Sequence, residues 1–403
     1  MNTLIITRWD NAVCTALSDG QKIFQISFSP RQEKAALNNI YIGKVQNIRK
    51  NINSAFIDIG NGIIGYYSLT DNPLHLSAAG KVLKELRPGD EIIVQVAREA
   101  VKSKALVLTS RISFTGKLAV LTLGKNGIGF SGKISDQTWK TNLKTFLSDL
   151  DLTQFGLIIR TNAKDASFPE IREEVDELKA RCLTVLNQAA YRKGLSLLYQ
   201  APASFLTGVR DVYTQDLEEI VTDDEELYQE LQAYLKESQP EDLDKLRWYQ
   251  DPLLPLKSLY RLNRAVEEAT SPRVWLKSGG YLVIEPTEAL VVIDVNTGKY
   301  AEKKTMSETI LKINLEAARE IGRQLRLRNL SGIIIIDFID MKEEEHRRQL
   351  LKELEEVVRR DPIKTTVVEI TRLNLVELTR KKLHRPLYEQ LAALKKPENL
   401  KES

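Results

Sequence analysis

The run Gly332-Ile333-Ile334-Ile335-Ile336-Asp337-Phe338-Ile339-Asp340-Met341 is continuously apolar up to its aspartates. It is too short for a buried helix and rich in β-branched side chains, so it predicts a strand covered on both faces. Upstream, Leu290-Val291-Val292-Ile293-Asp294-Val295-Asn296 belongs to a second such strand (289–295), and 280–285 to a third. Between them Thr305-Met306-Ser307-Glu308 is a capping-box pattern that opens a helix running to about Asn329, where Ser331-Gly332 stops it. A charged helix over about 342–360, a strand at 365–370 and a last helix follow. Strands alternating with helices make 271–390 a β/α layered domain.

Towards the N-terminus the texture changes. Short alternating runs such as Ile40-Tyr41-Ile42, Ala55-Phe56-Ile57 and Glu91-Ile92-Ile93-Val94 are separated by Asn, Gly and Pro over 37–113, the pattern of a small β-barrel. Residues 114–204 mix strands at 117–123 and 156–161 with a helix from Pro169 to about Lys193, Pro169 standing in its first turn. Residues 205–250 hold an acidic helix that starts at Asp223-Asp224-Glu225-Glu226, read as a solvated face. The fold class is α/β, in an α+β multidomain chain, since 403 residues exceed what one core organises.

Composition narrows the chemistry. With 42% hydrophobic and 28% charged residues and no apolar run near the ~18 residues of a membrane span, a transmembrane protein is excluded. The N-terminus lacks the features of a secretory leader, so a cytoplasmic protein is expected. Two cysteines, Cys14 and Cys182, exclude a disulfide scaffold, and three histidines (His75, His346, His384) form no ligand pair. Carboxylates must therefore hold any metal. The net charge of +3 hides opposed segments: 37–113 carries 10 Lys or Arg against 6 Asp or Glu, while 205–245 carries 3 against 13.

Strand alternation puts Asp294 and Asn296 on one face at a strand's end, and the isoleucine run delivers Asp337 in the same way. Burying lone charges there costs several kcal/mol. A cation between the two carboxylates removes that cost, and magnesium favours one or two carboxylates plus substrate phosphate. Asp294 and Asp337 are thus candidate metal ligands and catalytic residues, Asn296 a neutral donor, and the implied chemistry is phosphodiester hydrolysis by metal-activated water. The plainer alternative for either aspartate is a helix cap or turn. Asp340, three positions on, would face the other way if the strand continued. On the helix opened by Thr305, Arg319, Arg323 and Arg326 form a basic stripe suited to an RNA backbone, with Arg328 alongside and Leu311, Leu315, Ala318, Gly322 and Leu325 as the core face. In the barrel, Phe56 and Tyr66, flanked by Lys44, Arg49, Lys50 and Lys104, suit base stacking and backbone contact, although Phe56 reads equally well as core. Arg160-Thr161 ends a strand and could hold a terminal phosphate, but such pairs are common.

The motifs Leu276-Lys277-Ser278-Gly279-Gly280-Tyr281, Glu285-Pro286-Thr287-Glu288-Ala289-Leu290, Ile293-Asp294-Val295-Asn296, Asn314-Leu315-Glu316-Ala317-Ala318, Arg323-Gln324-Leu325-Arg326-Leu327-Arg328 and Ile336-Asp337-Phe338-Ile339-Asp340-Met341 resemble the catalytic region of the ribonuclease E and ribonuclease G family, and the likeness covers nearly the whole chain. The resemblance implies an endoribonuclease that uses Mg2+, with Mn2+ able to substitute, to cut single-stranded RNA into 5′-phosphate and 3′-hydroxyl ends, stimulated by a 5′-monophosphate, in RNA processing and decay. It puts the metal aspartates on Asp294 and Asp337, the asparagine on Asn296, the 5′-phosphate sensor on Arg160 and Thr161, and RNA contacts on Phe56, Tyr66 and Lys104. It further implies a ribonuclease-H-like subdomain from 1–36 and 205–270, an inserted S-one-type OB-fold barrel at 37–113, a 5′-sensor region at 114–204, a DNase-I-like catalytic domain at 271–390 and a tail at 391–403.

Two departures from the family stand out. Ser131-Gly132-Lys133-Ile134 replaces two consecutive basic residues, which is expected to weaken part of the 5′-end contact. No cysteine follows Leu383-His384-Arg385-Pro386, so no zinc is expected and any homodimer would form without a zinc link. The competing expectation is a catalytically silent RNA-binding or ribosome-associated module of the same fold.

Overall fold

The computed structural model describes residues 2–31, 37–98, 105–192, 194–212, 217–298 and 306–395. The chain forms two compact units, one of 1–31, 218–230 and 245–403, the other of 32–217 and 231–244. Among the described residues no helix is long and apolar enough to cross a membrane.

In the second unit, strands Ile40–Arg49, Ser54–Asp58, Ile64–Ser68, Val107–Thr109 and Glu91–Arg98 pair in that order, and the last returns to the first, closing an OB-like barrel. Alternation drives the closure: Ala55 and Ile57 point inward onto Tyr67, Ile92, Val94 and Val96, all buried. Gly65 is required there, because a Cβ would lie 2.4 Å from the Leu108 side chain. A separate sheet, Ser113–Thr115, Ala119–Leu123, Phe155–Ile159 and Gly127–Phe130, is covered by the helix Phe168–Ala189. Ser167 and Glu170 form a capping box at the start of that helix, where Pro169 has no amide proton to leave unpaired, and Ile171, Val175, Leu178 and Cys182 form its buried side.

The first unit holds two more sheets. One orders Leu246–Trp248, Leu217–Thr222, Asn2–Trp9, Ala12–Ser18 and Ile23–Pro30. The acidic helix, observed at Glu225–Ser238, opens on the solvated face expected of it, since Asp223, Glu225 and Glu226 are exposed, and part of that face is paired. Asp224 accepts from the Leu227 amide at 3.0 Å, Arg8 pairs with Asp224 at 2.6 Å and Glu226 at 2.8 Å, and Arg31 pairs with Glu230 at 2.7 Å. Part of the negative run thus pairs with Arg8 of the first strand and with Arg31, just past the third.

The other sheet orders Arg273–Trp275, Tyr281–Pro286, Leu290–Asn296, Gly332–Asp337, Leu375–Arg380 and Thr365–Ile370. Only Leu290–Asn296 and Gly332–Asp337 run parallel, and the helix Met306–Leu327 makes the crossover between them. Its neighbour, Glu344–Arg359, lies so close that a Cβ on Gly322 would sit 2.0 Å from Val357.

Two expectations fail in this sheet. The isoleucine strand is covered on one face only: Ile334 and Ile336 are fully buried while Ile333 is 52% exposed. The helices occupy a single side, so Ile333 stands on the open one. Leu375–Arg380, where buried Val376 and Leu378 alternate with Glu377 and Thr379, is a further strand that the expected order of elements lacks. Arg380 lies buried because Asp361 pairs with it at 2.7 Å and the Leu330 carbonyl and Asn329 side chain accept its other donors.

Candidate active site

Asp294 and Asp337 are register partners on the two parallel strands, so both carboxylates leave neighbouring strand ends on the open face. Strand spacing puts the two backbones about 5 Å apart. Asn296 donates its amide to the Asp294 carboxylate at 2.6 Å, which shows the same-face placement expected of that pair. Burial, then the charges of Asp294 and Asp340, raise the Asp337 carboxyl above its ordinary range. The stretch after Asn296 is seated by glycines: at Gly280 a Cβ would lie 2.8 Å from the Asn296 carbonyl, and Gly298, at φ +63°, backs onto Gly279. Glu316 fixes the same loop by accepting from the Lys277 amide at 2.6 Å and the Ser278 amide at 3.2 Å.

The strand ends at Asp337, so period-2 reasoning does not extend to Asp340, whose charge acts on Asp337 and whose carboxylate accepts from Asn374 at 3.3 Å. The turn between the two aspartates is held by Asn314, which is fully buried. Its amide donates to the Ile339 carbonyl at 2.8 Å, and its oxygen accepts from the Ile339 amide at 3.1 Å. A polar residue facing the core of an amphipathic helix was the available signal for it.

The basic stripe divides. Arg319 is exposed and pairs with Glu353 at 2.6 Å. Arg323 is largely buried, bonded to Glu320, Glu268 and the Ile23 carbonyl, and Arg326 lies over the Phe24 ring at 4.6 Å and reaches Gln25. These two guanidiniums tie the helix to the N-terminal sheet and do not form the exposed stripe expected of them for RNA, and Arg328 is likewise buried, on Gln324 and the Glu268 carbonyl. The helix buries Ile313, Ala317 and Ile321 as well as Ala318 and Leu325, a wider apolar face than a single stripe requires.

In the other unit, Phe56 and Tyr66 are cross-strand partners with rings 6.2 Å apart, edge to face, and partly exposed. Phe56 is thus not core, since its neighbours Ala55 and Ile57 take the inward positions. Lys44 is exposed and paired in register with Asp58, and Arg49 and Lys50 are exposed. Lys104 lies outside the described residues. Arg160 donates to the Gly116 carbonyl at 2.6 Å and to Asp211 at 2.8 Å. Although burial pushes the Asp211 carboxyl up, Arg210 and Arg160 hold it below the usual range. Thr161 shares a 3.1 Å hydrogen bond with Ser131, which opens the segment where the family resemblance called for two basic residues. Nearby, Glu174 accepts from the amides of Lys117, Leu118 and Ala119, and burial still raises its carboxyl.

Among the described residues no group of three or more His, Cys, Asp or Glu forms a metal cage. Two carboxylates that repel one another, with an amide alongside, are nonetheless the donor set a hard oxygen-loving cation accepts with water and phosphate completing its shell. Residues 113–383 match the Ribonuclease E/G family. The chain is 34% identical over 360 residues to a Ribonuclease E of Nostoc sp. (strain PCC 7120), covering 88% of this chain and 52% of that protein. It is 33% identical over 394 residues to a Ribonuclease G of Haemophilus influenzae (95% and 80% covered) and 33% over 377 residues to that of Escherichia coli K12 (91% and 77%). The chain spans about half the length of the ribonuclease E relative and most of the ribonuclease G relatives. The match encloses the paired aspartates, Asn296 and the Asn314 clamp, and by it the chain belongs to the ribonuclease E/G family.

Proposed function

We propose that this chain is an endoribonuclease that hydrolyses single-stranded RNA, leaving 5′-phosphate and 3′-hydroxyl ends, in RNA processing and decay in the cytoplasm. The observation that carries the reading is the in-register placement of Asp294 and Asp337 on an open sheet face. These carboxylates would hold Mg2+, or Mn2+ in its place. Bound there, the cation supplies Lewis-acid stabilisation of phosphate charge and a more acidic water. Asn296 fixes the Asp294 rotamer through its 2.6 Å hydrogen bond, and Asn314 holds the turn that follows Asp337.

Phe56, Tyr66, Lys44 and Lys104 would grip the strand by stacking and phosphate contact, and exposed Arg319 is available to the backbone. Arg160 and Thr161 would receive a 5′-monophosphate, Arg160 exchanging Asp211 for the phosphate. The same reading assigns the ribonuclease-H-like, OB-fold, 5′-sensor and DNase-I-like subdomains to the ranges expected from sequence. Asp294→Asn or Asp337→Asn should abolish cleavage of a 5′-monophosphorylated single-stranded RNA while RNA binding persists. Full activity of either variant, or of the wild type in EDTA, refutes it.

A further inference from the structure

The open face that carries the aspartates continues across two more strands. Tyr281 is the register partner of Asn296, and Val283 that of Asp294. Trp275 in turn pairs with Tyr281, and Arg273 with Val283. Directly paired residues share a face, so Arg273, Trp275 and Tyr281 stand on the same side of the sheet as Asp294 and Asn296. Their own neighbours confirm the sidedness, since Val274 and Leu282 are buried in the core.

The three side chains form one assembly. The Trp275 and Tyr281 rings are 5.2 Å apart at 58°, and the Arg273 guanidinium lies 4.6 Å from the Tyr281 ring and 5.8 Å from the Trp275 ring. Trp275 is nevertheless 64% exposed. An indole held by a tyrosine and an arginine yet left open to solvent presents a flat π surface that the fold does not use. By strand spacing it stands about 10 Å from the backbone of Asn296, two strands away.

We propose that Arg273, Trp275 and Tyr281 form a subsite for the nucleotide flanking the scissile bond, its base stacking on Trp275 and its phosphate meeting Arg273. The inference rests on the endoribonuclease reading. Stacking suits single-stranded RNA because every base has a π face, whereas an arginine beside the rings adds a bidentate phosphate donor.

The test compares wild type, Trp275→Ala and Trp275→Phe on a 5′-monophosphorylated RNA oligomer with one cleavage site, intact or abasic at the nucleotide on either side of that site. Trp275→Ala should lower kcat/KM about ten- to a hundredfold on intact RNA, and Trp275→Phe should restore most of it. On the RNA abasic at the stacked position, wild type and Trp275→Ala should cleave alike. In the Asp294→Asn background, RNA should quench tryptophan fluorescence, and the quench should vanish when Trp275 is also replaced. Wild-type rates for Trp275→Ala, or an equal loss on intact and abasic RNA, overturn the subsite. So does a Trp275→Ala variant that changes mass by light scattering but not cleavage, which would assign the face to a protein partner. An active Asp294→Asn enzyme would instead sink the endoribonuclease reading, while the fluorescence arm still judges the platform.

Discussion

Replacing Asn314 by alanine removes two hydrogen bonds at once and leaves the amide and the carbonyl of Ile339 without partners. Each orphaned backbone group costs about 1–3 kcal/mol when buried. Ile339 is only half-buried, so water recovers part of this, and a loss of about 2–4 kcal/mol is expected. That is a large share of the ~5–15 kcal/mol by which domains are stable. The same turn separates Asp337 from Asp340, so loosening it should cut kcat at least tenfold while KM for RNA changes little. Asn314→Asp keeps the acceptor for the Ile339 amide but not the donor, and should fall between. Urea unfolding measures the first effect; cleavage kinetics at a low temperature where circular dichroism shows the variant folded measure the second. A folded Asn314→Ala protein with wild-type kcat would refute the clamp as a positioning device.

Other outcomes follow from neighbouring contacts. Asp361→Ala strips the buried Arg380 of its carboxylate and should cost about 3–5 kcal/mol in urea unfolding, the range for breaking a buried pair; a loss below 1 kcal/mol would contradict it. Asp224 is held below the usual carboxylate range, first by its hydrogen bond from Arg8. A depressed carboxyl stabilises the fold above its unfolded pKa near 4 and surrenders that stability as pH falls through the folded value. Arg8→Ala should therefore flatten the stability curve below about pH 4, and an unchanged acid limb would count against the pairing. Cys14 and Cys182 are buried, with thiols pushed up to about 12 by burial. Neither should react with a thiol reagent at pH 8 until the protein is unfolded, when two should titrate; prompt reaction of the native protein would contradict that burial.

What could be read from sequence was whatever local periodicity controls. Asp294 with Asn296 follows from strand alternation, and the hydrogen bond between them fits it. Helix starts were legible where the first turn carries its own signal, as at Pro169, which lies in the first turn of Phe168–Ala189. Reading failed where long-range pairing overrides local chemistry. Arg380 looks like surface until Asp361 is brought to it, and Arg323 looks like an RNA contact until Glu268 and the Ile23 carbonyl are found beside it. An isoleucine run likewise announces a strand without saying how many of its faces a helix will cover. Alternation says nothing of Asp340, because the strand stops at Asp337 and a turn held by Asn314 follows.

The parallel register that sets Asp294 against Asp337 has a consequence for how the molecule can fail. A slip of one residue between those strands would send one carboxylate to the helix-covered side, with nothing intermediate between a paired and an unpaired site. If the paired carboxylates carry the proposed cleavage, chains that mis-assemble this sheet would be inert rather than promiscuous, and a pool of partly misfolded protein would lose specific activity in proportion to the misfolded fraction while its cleavage pattern stayed the same.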